Sequence, residues 1–133
     1  MTSLSPLLLL VDDDRNTREG YAEFLKTDGF RVVEAASAED ALARSIEHPP
    51  DVVITDISLP GVDGFALAAH LRSVRETRAI PVVAMTAHWA TDLHERASRA
   101  GITAIVAKPC QPLHLVAELR RVLKQQHQPT AAE

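Results

Sequence analysis

The strongest constraint on the fold is a rhythm. Five short apolar runs, Leu7 to Val11, Arg31 to Glu34, Val52 to Thr55, Pro81 to Met85 and Thr103 to Ala107, are separated by stretches with helical spacing. Most of the runs are continuously apolar rather than alternating, as expected of strands covered on both faces. Between and after them, apolar residues recur at intervals of three and four. Leu115, Val116, Leu119, Val122 and Leu123 lay one stripe along a last helix, and Leu67, Leu71 and Val74 do the same in the third helical segment. Trp89, Leu93, Ala97 and Ala100 predict a fourth stripe, which places the Trp89 ring in the core. Gly29 and Gly101 stand where helices should end, because glycine takes the left-handed closing conformation readily. Ser37 is suited to open the second helix and Asp63 the third, each offering a side-chain oxygen to a free backbone N–H. Strand and helix alternating five times over call for an α/β architecture, (βα)5, with a doubly wound parallel sheet.

A chain of 133 residues buries roughly two thirds of its unfolded surface, so one core suffices. The single cysteine, Cys110, excludes an internal disulfide framework, and no Cys and His pairs stand at zinc spacing. A reducing, cytoplasmic setting is expected. Fourteen basic residues against eighteen acidic give a net charge of −4 with no basic block, which argues against direct nucleic-acid binding. The longest apolar run, Pro6 to Val11, is far below the ~20 residues that span a bilayer, so no membrane or export segment is expected. The polar stretch from about Gln125 to Glu133, with Pro129, reads as low in structure. We divide the chain into a domain over residues 1–127 and a flexible tail over 128–133.

The polar residues collect at one end of the expected sheet. Asp12, Asp13 and Asp14 follow the first strand, Asp56 the third, Thr86 the fourth and Lys108 the fifth. We adopt the flavodoxin-like strand order 2-1-3-4-5, borrowed from other doubly wound proteins, in which ligands bind outside the carboxyl ends of strands 1 and 3. With strands ~4.8 Å apart, the first acids and Asp56 become neighbours and Thr86 lies one strand further on. Lys108 starts about two strand spacings from Asp56, a gap its long side chain can largely cross. Carboxylates packed together repel unless a cation sits among them. Mg²⁺ suits such a site, because it takes oxygen ligands, keeps several waters and commonly adds a phosphoryl oxygen. Asp56, already ionised at neutral pH, can act as a nucleophile without a general base. Thr86 and Lys108 then supply a hydroxyl and a cation on the side expected to lie opposite the metal.

These fragments resemble the response-regulator receiver family, from Leu7 to about Lys124. LLLLVDDD is similar to that family's first strand and acid pair, Asp12 and Asp13, with Asp13 as direct metal ligand. DVVITDISLPGVDG resembles the segment around the phosphorylated aspartate, here Asp56, with Ser58 offering a backbone carbonyl to the metal and Pro60 and Gly64 shaping the loop. VVAMTAH resembles the switch segment with Thr86, and VAKPC the lysine-proline segment with Lys108 and a cis peptide to Pro109. The resemblance implies a phosphoacceptor signalling domain that assists its own phosphorylation and dephosphorylation, not a conventional enzyme. It implies Mg²⁺ as cofactor and a sensor histidine kinase or histidine phosphotransfer protein as donor. A downstream protein target or an output domain outside this chain is implied as well, with the domain itself monomeric or weakly dimeric.

One residue departs from the family pattern: Ile105 stands where an aromatic switch is usual, and it cannot swing a polar ring between solvent and core. The surface of helix 4, strand 5 and helix 5 is therefore expected to change less than usual. His88, two residues after Thr86, sits where the family tunes water access, and reads equally as a surface histidine. Cys110 reads as a packed small side chain. Two other functions fit less well. A degenerate receiver used as a binding scaffold conflicts with the intact Asp12, Asp13, Asp56, Thr86 and Lys108. An aspartate-nucleophile phosphatase resembles a motif directly after the first strand, whereas the candidate nucleophile here follows the third.

Overall fold

The computed structural model describes residues 5–127. Its elements alternate without exception: β1 (Leu7–Val11), α1 (Arg15–Thr27), β2 (Arg31–Ala35), α2 (Ala38–Glu47), β3 (Val52–Asp56), α3 (Gly64–Ser73), β4 (Val82–Thr86), α4 (Leu93–Ala100), β5 (Ala104–Ala107) and α5 (Pro112–His127). The strands form one parallel sheet in the order β2-β1-β3-β4-β5, as adopted from the strand count. The expected tail, residues 128–133, lies outside the described residues. No helix among the described residues is long and apolar enough to cross a membrane.

The continuous apolar runs are explained by two cores. On one face of the sheet Leu8, Leu10, Ile54, Val83 and Met85 pack with Ala22 and Leu25 of α1 and with Leu115, Leu119 and Val122 of α5. On the other, Leu9, Val11, Val53 and Val82 pack with Ala38 and Ala41 of α2 and Leu67, Ala68 and Leu71 of α3. Successive strand residues point to opposite faces, so a sheet buried on both sides needs an apolar residue at nearly every position.

The caps act as read. Ser37 accepts from Asp40 N–H at 3.1 Å and Asp63 from Ala66 N–H at 2.9 Å. Gly29 (φ 99°) and Gly101 (φ 82°) take the left-handed conformation beyond α1 and α4.

Three expectations are corrected. Trp89 lies outside α4 and is 50% exposed, its ring tilted against His94. The stripe begins only at Leu93, because β4 continues through Thr86 and the following residues form an irregular loop up to Asp92. Val74 likewise falls outside α3, closing it in an extended conformation. Finally, α5 continues through His127, beyond the point where polarity predicted fraying. Buried Val122 and Leu123 anchor the turn before it, and in the last turn Gln126 donates to the Ala79 carbonyl at 2.8 Å.

Candidate functional site

At the carboxyl ends of β1 and β3, Asp12, Asp13 and Asp56 each present a carboxylate oxygen within 4.8 Å of the others. Parallel pairing of Val11 with Thr55 brings the residues that follow onto the same edge. Asp12 is buried, Asp56 half-buried and Asp13 exposed.

Their surroundings hold them in place. Asp12 Oδ1 accepts from Asp14 N–H at 2.9 Å, and Asp56 Oδ1 accepts from Ser58 N–H at 3.1 Å. Asp14 does not join the cluster, because its side chain caps α1 by accepting from Thr17 N–H and the Thr17 hydroxyl. That pair of bonds holds the Asp14 carboxyl below the usual carboxylate range. Gly64 packs where a Cβ would lie 2.6 Å from the Asp56 carbonyl oxygen, which is why α3 can start so close to the strand.

Lys108 completes the cluster, its side chain crossing from β5 to Asp56. Its ammonium donates to Asp12 Oδ2 at 2.8 Å and to Asp56 Oδ2 at 2.7 Å. Two adjacent carboxylates demand a counter-charge, and the flexible lysine stem reaches them from β5. Burial pulls the Lys108 pKa down, yet the hydrogen bonds and charges of Asp12 and Asp56 outweigh it and leave the pKa above the ordinary lysine value. Its peptide bond to Pro109 is cis, as the resemblance implies.

Thr86 reaches the same edge and is buried, but its hydroxyl is engaged locally. It donates to the His88 carbonyl at 3.2 Å and accepts from His88 N–H at 3.0 Å. The structure therefore does not turn this hydroxyl onto Asp56. Ser58 is exposed at the cleft rim beside Asp56, and its carbonyl accepts no hydrogen bond among the described residues. Cys110 packs against the α1–α5 core, and burial pushes its thiol pKa up, keeping it protonated at neutral pH.

Two residues were missed by reasoning from sequence. Arg18 donates to the Asp12 carbonyl at 2.8 Å and to Glu34 at 3.0 Å, bracing the turn that carries the acids. Tyr21 bonds the backbone of Cys110 across the cleft. With Asp14 and Thr17 they fall at intervals of three to four on α1, the one sequence signal that could have marked a face turned to the site. The cleft of about 370 Å³ is lined by Thr17, Tyr21, Asp56, His88, Lys108 and Pro109 among others.

An acid cluster with a lysine at the switch point of a 2-1-3-4-5 sheet defines a receiver-type signalling domain. Residues 8–120 match the family described as response regulator receiver domain, and the chain belongs to that family. It is 38% identical over 120 residues to response regulator Rre1 of Synechocystis sp., covering 90% of this chain and 52% of that protein. It is 31% identical over 109 residues to an uncharacterized 14.6 kDa protein of Leptolyngbya boryana, covering 82% of this chain and 83% of that one. The chain thus spans about half the length of Rre1 but most of the smaller relative. Among solved structures, chemotaxis protein CheY4 of Vibrio cholerae superposes with a TM-score of 0.85 at 27% identity, over 90% of this chain and 99% of that one. This is a receiver domain of two-component response regulators, a family of signalling phosphoacceptors rather than conventional enzymes.

Proposed function

We propose that Asp56 is the phosphoacceptor, and that the domain takes a phosphoryl group from a phosphohistidine on a sensor histidine kinase or histidine phosphotransfer protein. The observation that carries this reading is the convergence of Asp12, Asp13 and Asp56 with the Lys108 ammonium on one oxygen of Asp56. The donor set is all oxygen and mixes buried and exposed carboxylates, which fits a hard divalent ion that keeps part of its water. Asp12, Asp13, Asp56 and the Ser58 carbonyl would hold Mg²⁺. When bound, it offsets the negative charge of the acids and of the incoming phosphoryl oxygens.

The chain's own residues do the rest. An oxygen of Asp56 forms the new O–P bond while the N–P bond of the donor breaks, and the departing imidazole keeps the electron pair and takes a proton from solvent. Lys108 moves from the carboxylates to a phosphoryl oxygen, where its charge is needed as negative charge accumulates. Thr86 contributes once its hydroxyl leaves the His88 backbone, which couples occupancy of the site to the β4–α4 loop. The same groups assist loss of the phosphoryl group to water.

Residues 1–127 form the receiver unit, working in the cytoplasm as a monomer or weak dimer and passing its state to another protein or an output domain. Ile105 packs beside Ile57, Ala84, Leu93 and Phe65. Arg120 ties α5 to Asp28 and stacks over Phe30, and Gln126 ties it to Ala79. These contacts favour a response concentrated in the β4–α4 loop with little movement of α5. Backbone chemical shifts with and without a phosphoryl mimic test that part: changes spreading along α5 count against it.

The decisive assay is incubation with acetyl phosphate and Mg²⁺, followed by intact mass. The expected result is gain of one phosphoryl group, dependent on metal and abolished in Asp56→Asn. Uptake that persists in Asp56→Asn refutes the assignment.

A further inference from the structure

Tyr21 belongs to α1, yet it lines the cleft with Asp56 and Lys108. Its ring packs against the α1–α5 core, while its hydroxyl donates to the Cys110 carbonyl at 3.0 Å and accepts from Cys110 N–H at 3.1 Å. One phenol satisfies both backbone groups of a residue 89 positions away.

The chain leaves Cys110 in need of such a partner. β5 ends at Ala107, and Lys108 N–H makes the last bond to the neighbouring strand, on the Thr86 carbonyl at 2.9 Å. Pro109 has no N–H to offer. In the first turn of α5 the His114 and Leu115 N–H groups turn back to the Gln111 carbonyl, one residue too late to engage the Cys110 carbonyl. Backbone groups stranded between a ladder and a helix require a partner, and Tyr21 supplies it. The backbone of Lys108 is thus bracketed, by Thr86 before the proline and by Tyr21 after it.

We propose that Tyr21 is a positioning residue: its hydroxyl fixes the β5–α5 turn so that the Lys108 ammonium is held on Asp56. The proposal rests on the reading of Asp56 as phosphoacceptor. A lysine side chain has several rotors, so its tip finds a single target only if its root is fixed. Releasing the turn removes both bonds, and at the low end of the range for neutral hydrogen bonds the pair lowers the fraction of time the ammonium spends in register by about five-fold.

Tyr21→Phe keeps the ring in the core and removes only the hydroxyl. It is compared with Lys108→Ala and with the double variant by the rate of phosphorylation from acetyl phosphate at saturating Mg²⁺, and by the side-chain resonances of Lys108. The expected result is an about five-fold slower rate in Tyr21→Phe and no further slowing when Lys108 is already absent. The two ε-methylene protons of Lys108 are expected to be distinct in the parent, where the ammonium is held by two carboxylates, and to converge in the variant. Equal slowing in both backgrounds, or Lys108 resonances unchanged in Tyr21→Phe, overturns the proposal and leaves Tyr21 a packing residue. If the parent chain takes up no phosphoryl group, the functional reading fails by itself, and the Lys108 resonances still decide the role of Tyr21.

Discussion

Removing the Lys108 ammonium should tighten Mg²⁺ binding even as it cripples phosphoryl uptake. All four carboxylate oxygens of Asp12 and Asp56 are already engaged: Oδ1 of each by a backbone N–H, Oδ2 of each by Lys108. A metal ion entering this cluster must share or displace those partners, and the mobile one is the lysine. A hydrogen bond between charged groups contributes about 1.5–3 kcal/mol net. The lysine side chain is 21% exposed and the carboxylates 6% and 11%, so water screens the pairs in part and the lower figure applies. Surrendering one bond then costs about 1.5 kcal/mol, roughly a tenfold penalty on metal affinity that Lys108→Ala removes. Surrendering both sets the ceiling at about a hundredfold. Titration of Mg²⁺ by calorimetry, or by the emission of the sole tryptophan, Trp89 in the adjoining loop, measures the change directly. An affinity in Lys108→Ala equal to or weaker than that of the parent refutes the competition argument, whatever the variant does to phosphorylation.

Other expectations follow from the same contacts. Gly64→Ala drives a methyl against the Asp56 carbonyl and the Ile57 backbone, so it should destabilise by about 1–3 kcal/mol in urea melts and also weaken Mg²⁺ binding. Retention of full metal affinity would show that α3 can retreat without moving Asp56. Leu67→Ala, at a fully buried position of α3, should cost about 2–5 kcal/mol by the same measurement, and a loss under that range would mean the site collapses around the gap. Lys108 has a folded-state pKa above its unfolded value, so its contribution to stability is complete below about pH 10.4 and is lost as pH rises through the higher folded value. The parent should therefore lose stability above that pH faster than Lys108→Ala, and parallel curves would exclude the linkage.

How much was legible follows from the range of the interactions. The strands could be read because burial on both faces leaves continuous apolar runs, and the caps at Ser37 and Asp63 because each acts within three residues. The gathering of Asp12, Asp13, Asp56, Thr86 and Lys108 on one edge needed only their places at strand ends plus a strand order. What the sequence hid was orientation. Trp89 shares the spacing of Leu93 and Ala97, but spacing cannot tell a helix from the loop before it, and the ring stayed in solvent. The Thr86 hydroxyl prefers a local turn at His88 to the site, and spacing alone does not show that Lys108 bonds Asp12 as well as Asp56. Arg18 and Tyr21 reach the site through backbone groups, the Asp12 carbonyl and the Cys110 peptide, and a carbonyl or N–H leaves no mark in the sequence of its partner.

The topology explains why these contacts converge on one edge. α1 leaves β1 toward one face of the sheet, and α3 leaves β3 toward the other, so the chain parts between two neighbouring strands and opens the crevice that holds the acids. β4 separates that crevice from β5, and any group arriving from β5 must pass its end. Thr86 occupies that end, with its carbonyl bonded to Lys108 N–H and its hydroxyl to the His88 backbone. One residue therefore links the root of the lysine to the loop bearing Trp89. If the hydroxyl is recruited to a phosphoryl group, the loop loses its tie while the lysine root keeps its own. This arrangement lets the exposed loop respond while the backbone of Lys108 stays in place and only its side chain shifts.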